Sequence, residues 1–175
     1  LNQTQTRKIM AYSSIAHLGW MASVLTISPN IMLLNLALYL LMTTSTFLTL
    51  MFSSSKTIKD LTTTWTISPT MAAMMLALFM SLGGLPPLTG FMPKWLILQE
   101  LTLHNLPTTA TIMALSALLS LFFYLRLSYT TALTMYPTTA QNKFKWRFQP
   151  KLKTTIMTMM MMLSMMMLPT TPTFI

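Results

Sequence analysis

The sequence predicts an all-α membrane protein, a polytopic helix bundle of about five transmembrane spans with the third broken in mid-membrane. Only 7% of its 175 residues are charged and 53% are hydrophobic, whereas a soluble domain carries about a quarter charged residues. The alternation of apolar and polar residues that marks β-barrel strands is absent from the sequence. Instead, apolar segments of about 20 residues or more, long enough to cross a bilayer, follow one another along the chain.

We expect these segments to form a single transmembrane domain over 1–175. The predicted spans cover about 7–26, 30–52, 68–105, 107–130 and 152–174. A proline lies at or just before the start of four spans, where its missing N–H costs least. These prolines are Pro29, Pro69, Pro107 and Pro150.

The third predicted span is too long for one straight crossing. At about 1.5 Å per residue, its roughly 38 residues would reach about 57 Å, against a hydrocarbon core of about 30 Å. The stretch SLGGLPPLTGFMPKW (81–95) interrupts it with residues that weaken or break a helix. These are Gly83, Gly84, Pro86, Pro87, Gly90 and Pro93. The segment is therefore either a helical hairpin or one span broken in mid-membrane.

The placement of charge favours the broken span. It puts ten of the eleven basic residues on one side of the membrane: Arg7, Lys8, Lys56, Lys59, Arg126, Lys143, Lys145, Arg147, Lys151 and Lys153. A hairpin would move the five from Lys143 onward to the other side, against the positive-inside rule. We therefore predict that 53–67 and 131–151 lie on the same side.

The remaining basic residue, Lys94, falls inside the membrane, directly after the break. A lysine there is costly and is a functional candidate by default. Pro93 predicts that a helix restarts at this point, so Lys94 lies in its first turn. Poor hydration and the positive end of that helix both disfavour the ammonium form, which suits a residue that releases and regains a proton. The alternative is a lysine whose side chain reaches the interface.

Other polar residues extend a possible proton path. Ser13 and Ser14 precede His17 by four and three residues, so all three share one face of a helix. His17 can exchange protons near neutral pH, but hydrogen bonding between helices explains these residues equally well. Glu100 lies six residues after Lys94, about 240° around the helix, and would have to face another helix or subunit.

A polar stripe also runs along the second span. Asn35, Tyr39 and Thr43 recur every four residues, so they lie on one helical face. We interpret them mainly as hydrogen-bonding contacts between helices.

The composition excludes several classes of site. The chain has no cysteine, only two histidines, and only Asp60 and Glu100 as acids, so we expect no disulfide, metal, iron–sulfur or other cofactor site in it. The net charge of +9 and the stretch KFKWRFQPKLK (143–153) allow nucleic-acid binding. A loop beside the lipid headgroups fits better, because apolar segments flank the stretch on both sides. We expect a lipid bilayer and no nucleic acid as partner.

Two long stretches carry a family resemblance. The stretches are LNQTQTRKIMAYSSIAHLGWM (1–21) and SLGGLPPLTGFMPKW (81–95). Both closely resemble the chain 2 family of NADH-ubiquinone oxidoreductase. Members of this family are antiporter-like membrane subunits of respiratory complex I. The likeness continues through FFYLRLSYT (122–130) to the C-terminus. It implies two inverted five-helix repeats, each with one broken helix, of which this chain is the C-terminal half: most of the second repeat and one closing helix.

The resemblance also implies a function. Lys94 matches the lysine of the second broken helix in a proton-conducting axis, within an NADH:ubiquinone reductase that translocates protons across the mitochondrial inner membrane. It implies basic loops in the matrix and a C-terminus towards the intermembrane space. NADH, FMN, iron–sulfur clusters and ubiquinone are expected elsewhere in the complex. The expected partners are the missing N-terminal half and other membrane-arm subunits.

Two alternatives stay open: a structural subunit in which Lys94 is a fixed charge, and a standalone cation/proton antiporter.

Overall fold

The computed structural model describes residues 3–62, 64–133 and 154–166. Over these residues the chain is helical, and the all-α prediction is confirmed. An isolated bridge between Gln5 and Thr57 is the only β-type pairing in the described part. The helices are α1 (Thr6–Val24), α2 (Pro29–Ser53), α3 (Ile58–Thr62), α4 (Thr64–Ile67), α5 (Pro69–Gly83), α6 (Phe91–Leu103), α7 (Pro107–Leu133) and α8 (Thr154–Met166).

The helix bounds differ from the predicted spans in two respects. Two short helices, α3 and α4, lie in the segment predicted to be a loop. The third predicted span contains two helices, α5 and α6, separated by 84–90. The basic stretch 143–153 and the part of the last span beyond 166 lie outside the described residues.

Helix length separates α2 and α7 from the others. Among the described residues, these two helices, of 25 and 27 residues, are the ones long and apolar enough by length and composition to cross a membrane. At 1.5 Å per residue, α5, with 15 residues, is about 22 Å long. By the same measure α6, with 13 residues, is about 20 Å long. Since a hydrocarbon core is about 30 Å thick, neither of these two helices crosses it alone.

Two hydrophobic clusters are stacked along the bundle. The first joins α5 to the beginning of α1, the second half of α2 and the end of α7, with Phe79, Met75 and Leu82 buried at its centre. The second joins α6 to the end of α1 and the beginnings of α2 and α7, around Ile97 and Leu101. α5 and α6 therefore pack at different levels of the bundle, although they are neighbours in sequence.

The start of α1 is tied to the segment after α2. Thr6 N–H donates to the Lys56 carbonyl at 3.1 Å, and Ile58 N–H donates to the Thr4 carbonyl at 3.0 Å. Arg126 on α7 lines one cavity with Ile9 and Ile58. Basic residues from three separate segments therefore gather at one end of the bundle: Arg7, Lys8, Lys56, Lys59 and Arg126.

The break between α5 and α6 begins at a helix C-terminus closed by glycine. Gly84 has φ +84°, a left-handed conformation that glycine adopts at no steric cost. Its N–H donates to the Ser81 carbonyl at 2.9 Å, and Leu85 N–H donates to the Met80 carbonyl at 3.4 Å. These are the two bonds of a Schellman motif. Of the residues predicted to break the helix, Gly83 is the last residue of α5 and Pro93 lies in the first turn of α6.

Candidate functional site

Lys94 lies in the first turn of α6, as predicted, and its side chain crosses the break to the end of α5. The residue is buried, with 9% of its surface exposed. Its Nζ donates to the Gly83 carbonyl at 3.1 Å and, more weakly, to the Leu82 carbonyl at 3.5 Å. Carbonyls in the last turn of a helix have no intrahelical partner. Lys94 therefore caps α5.

This contact changes the electrostatic setting expected from the sequence. The sequence places the positive N-terminus of α6 beside Lys94, but the ammonium also faces the negative C-terminus of α5. Gly84 makes that approach possible, because a Cβ at its position would lie 2.9 Å from Lys94 Nζ. Within the described residues no acidic side chain forms an ion pair with Lys94.

Lys94 also lines a small polar cavity between α1, α6 and α7. Its other polar walls are Ser13 and His17 from α1 and Ser120 and Tyr124 from α7. The cavity volume is about 10 Å³, about enough for one water molecule. Two residues predicted from the sequence, Ser13 and His17, thus lie beside Lys94.

Ser13 and Ser120 can accept hydrogen bonds from a group in the cavity but cannot donate to it. Ser13 Oγ donates to the Met10 carbonyl at 2.7 Å, and Ser120 Oγ donates to the Ala117 carbonyl at 2.8 Å. Each hydroxyl has one proton, so only lone pairs remain for the cavity. Tyr124 is 1% exposed, and its hydroxyl neighbours Ser13 without forming a hydrogen bond. This phenol is a buried donor without a partner in the described residues.

His17 connects the cavity to α2. Its ring is 7% exposed and lies 4.7 Å from the Tyr39 ring, at an interplanar angle of 34°. The Lys94 charge acts electrostatically on His17. Ser14 does not line the cavity; it donates to the Ala11 carbonyl at 2.7 Å and interacts with Tyr39 at the α1–α2 contact. The structure therefore separates Ser13 from Ser14, although both were predicted to accompany His17.

Glu100 is not brought to Lys94. Its Oε2 lies 3.9 Å from Nε2 of His104 within the same helix, and Glu100 is absent from the cavity lining. The angular offset along the helix explains this separation, because six residues turn Glu100 away from the face that Lys94 occupies.

The polar stripe on α2 reaches α1 through Tyr39, whose side chain interacts with Ser14. Thr43 Oγ1 donates to the Tyr39 carbonyl of its own helix at 2.8 Å. The buried Nδ2 of Asn35 has no partner among the described residues. The Tyr39 ring also contacts His17 of α1. The stripe thus extends the polar environment of the cavity into α2.

Sequence reasoning missed the α7 side of the site. Ser120 and Tyr124 are four residues apart on a long apolar helix, a spacing that places them on one face. This spacing is visible in the sequence alone. No group of three or more His, Asp and Glu side chains that could hold a metal ion occurs in the described ranges.

Comparison with known proteins gives this site a family context. Residues 1–120, which carry α1 to α6 and the start of α7, match the family model described as NADH:quinone oxidoreductase/Mrp antiporter, transmembrane. The chain belongs to this family. Residues 121–175 match a second model, described as NADH dehydrogenase subunit 2 C-terminus. The boundary between the two models falls inside α7, so one helix carries residues of both.

Curated relatives agree with both models. The chain is 55% identical over 175 residues, all of its length, to NADH-ubiquinone oxidoreductase chain 2 of Sylvisorex granti. It is 55% identical over 172 residues to that of Canis lupus, and 54% identical over 172 residues to that of Halichoerus grypus, with 98% of the chain covered in each case. The chain spans about half (50%) of the length of these relatives. The resemblance predicted from the two long stretches is confirmed.

Proposed function

We propose that this chain is a proton-translocating part of the membrane arm of NADH:ubiquinone oxidoreductase, with Lys94 on a broken transmembrane helix as the relay residue. The observation that carries the proposal is the position of Lys94 Nζ, buried between a helix end and a polar cavity. The match of 121–175 to the C-terminus of NADH dehydrogenase subunit 2 favours a complex I subunit over a standalone antiporter.

The broken span is part of this proposal. A hairpin would need α5 and α6 each to cross the membrane, and at about 22 and 20 Å both are too short. A hairpin would also bring α6 back along α5, whereas the two helices pack in different clusters. A single span made of α5, the break and α6 is long enough to cross the membrane. It also explains why the two helices pack in different clusters. It places the break, and Lys94, near the middle of the membrane.

The proposed orientation puts the basic end of the bundle in the mitochondrial matrix. Three segments already bring basic residues to that end through the contacts of Thr6, Ile58 and Arg126. The positive-inside rule assigns such an end to the side from which the protein is inserted. The opposite end, where α6 meets α7, then faces the intermembrane space.

The hydrogen bonds of Lys94 suggest how a proton is held and released. An ammonium group has three N–H donors. Two point to the Gly83 and Leu82 carbonyls, which leaves the third for the cavity. Transfer of that proton to a cavity water leaves a neutral amine still held by the carbonyls. His17 is the next group able to take up a proton, and Ser13 and Ser120 accept hydrogen bonds from a water between them.

In the same proposal the redox reaction takes place elsewhere in the complex. NADH, FMN, iron–sulfur clusters and ubiquinone are held by other subunits, and this chain binds none of them. It packs against the remaining half of its own subunit and against other membrane-arm subunits. Its contribution is to the movement of protons.

A structural role for Lys94 is the second candidate, and a specific observation favours it. The ammonium caps α5 and so satisfies carbonyls that would otherwise be unpaired in lipid, where each such group costs several kcal/mol. In that case the positive charge alone is needed and no proton moves. The two candidates differ in what they require of the side chain.

Substitution of Lys94 distinguishes the two candidates. In membranes carrying the full-length subunit, we expect Lys94→Met to abolish most of the proton pumping that accompanies NADH oxidation, because the titratable group is lost. Lys94→Arg keeps the charge but does not release a proton in this pH range, so we expect a nearly equal loss. Pumping is measured as protons moved per NADH oxidised, and assembly is checked on native gels.

Lys8→Met is the matched control, because Lys8 is exposed at the basic end of α1. It should leave pumping unchanged. Full pumping by the Lys94→Arg variant would contradict the relay role and establish Lys94 as a fixed charge.

A further inference from the structure

A buried chain of hydroxyl groups ties the break to α8. Thr89 Oγ1 donates to the Ser164 carbonyl on α8 at 2.8 Å, and the same oxygen lies 3.1 Å from Ser81 Oγ in the last turn of α5. Gly90 N–H donates to Ser81 Oγ at 3.3 Å. Thr89 is 0% exposed, and Ser81 and Ser164 are each 1% exposed. We call the hydroxyls of Ser81 and Thr89, together with the Gly90 N–H and the Ser164 carbonyl that they contact, the hydroxyl chain.

The hydrogen bonds of the hydroxyl chain are all donated in one direction, from the break and α5 towards α8. Thr89 has a single proton, and the Ser164 carbonyl is the acceptor at the shortest distance. Ser81 therefore donates to Thr89, and its lone pair accepts from Gly90. Met42 Sδ, 3.2 Å from Ser81 Oγ, is a weaker acceptor. Without the Thr89 hydroxyl, Ser81 has only this sulfur as an acceptor, and the Ser164 carbonyl loses its contact with the break.

The hydroxyl chain ends beside the carbonyls that hold Lys94. Ser81 directly precedes Leu82 and Gly83, and the three residues form the last turn of α5. The carbonyls of Leu82 and Gly83 accept from Lys94 Nζ. A backbone turn moves as a unit, so whatever fixes Ser81 also fixes the two acceptors of Lys94.

We infer that Thr89 is a positioning residue. Through it, α8 holds the break against the end of α5 and keeps the α5 carbonyls directed at Lys94. α8 belongs to the segment matched by the C-terminal model, whereas the break and Lys94 belong to the antiporter model. The hydroxyl chain is thus a direct contact from the C-terminal segment to the proposed relay. Only the expected effect of Thr89 substitutions on pumping rests on the proposed function.

Amide hydrogen exchange in the assembled complex tests the positioning role. Thr89→Val keeps the shape of the side chain and removes its hydroxyl. We expect exchange in peptides covering 85–92 to rise about tenfold, because loss of a buried hydrogen bond favours local opening. Ser81→Ala removes the middle of the hydroxyl chain and should act in the same direction. We also expect Thr89→Val to move the midpoint of the pH profile of pumping, which a merely structural loss of activity would not do.

Two variants serve as controls. Thr89→Ser keeps the hydroxyl and should restore slow exchange and the normal pH profile. Ser164→Ala should be silent, because α8 accepts through the backbone carbonyl while Ser164 Oγ donates to the Met161 carbonyl. Equal exchange in Thr89→Val and Thr89→Ser would overturn the inference. Provided that Lys94→Met is defective in pumping, faster exchange with an unchanged pH profile would also overturn it. Normal pumping by Lys94→Met would instead refute the proposed function, and the exchange result would still decide whether α8 holds the break.

Discussion

At the scale of single residues, the site is organised by the way Lys94 joins two helix ends. The sequence identifies the residue and its place in the first turn of α6, because a proline followed by a lysine in an apolar segment is an unusual combination. Its acceptors could not be predicted in the same way. They are backbone carbonyls of Leu82 and Gly83, which every residue possesses, and their position depends on how the chain turns between the helices.

Gly90 gives a residue-scale prediction. Its φ of −69° suits any residue, but a Cβ there would lie 1.8 Å from the Ser81 carbonyl oxygen. We expect Gly90→Ala to force the break away from α5 and to destabilise the subunit by about 1–3 kcal/mol or more. The measurement is the amount of assembled complex on native gels and its thermal inactivation.

Gly19→Ala is the control for that substitution. Apart from the backbone of its own helix and its chain neighbours, no atom of the described residues lies within 4 Å of a Cβ at Gly19, which is inside α1. Alanine is also the better helix former by about 0.5–1 kcal/mol. It should assemble normally. If Gly90→Ala assembled equally well with unchanged thermal inactivation, the close packing of the break against α5 would be wrong.

At the scale of helices, helix length explains why sequence patterns located some elements and missed others. Long apolar segments between prolines located α2 and α7 to within a few residues. α3 and α4 have five and four residues, too few for a 3.6-residue period to appear. The packing of α5 and α6 at different levels depends on contacts with α1, α2 and α7, which no local pattern contains.

Single-cysteine labelling tests the broken span. The chain has no cysteine, so Lys56→Cys, Thr108→Cys and Lys145→Cys each introduce one site. We expect positions 56 and 145 to be labelled by a membrane-impermeant reagent from the matrix side and position 108 from the opposite side, because one broken span lies between 56 and 108. Labelling is read on this subunit by mass spectrometry, in vesicles of both orientations.

Lys56 and Thr108 are both exposed in the structure. A difference in labelling between these two positions therefore reports the side of the membrane and not burial within the protein. A hairpin of α5 and α6 would place 56 and 108 on the same side and 145 on the other. That pattern would contradict the broken span and the proposed depth of Lys94.

At the scale of the whole molecule, the described residues present a large apolar surface on α7. α7 exposes a continuous set of large apolar side chains, which includes Leu115, Leu118, Leu119 and Phe122. Lipid can cover such a face. Inside the bundle, Asn35 Nδ2 and Tyr124 OH are buried without partners in the described residues. A cavity of about 10 Å³ is also too small to conduct protons from one side to the other.

The last prediction concerns the chain on its own. We expect the 175-residue chain, expressed without the rest of its subunit, to show no cooperative thermal unfolding in detergent, because its helices lack neighbours that complete the polar path. Co-expression with the other half of the subunit, as two polypeptides, should restore a cooperative transition and co-purification. The control is the same pair with Lys8→Met, which changes an exposed residue and should behave identically. A monodisperse monomer that unfolds cooperatively at the temperature of the paired halves would show instead that the bundle is complete, and the relay would then have to operate within this chain alone.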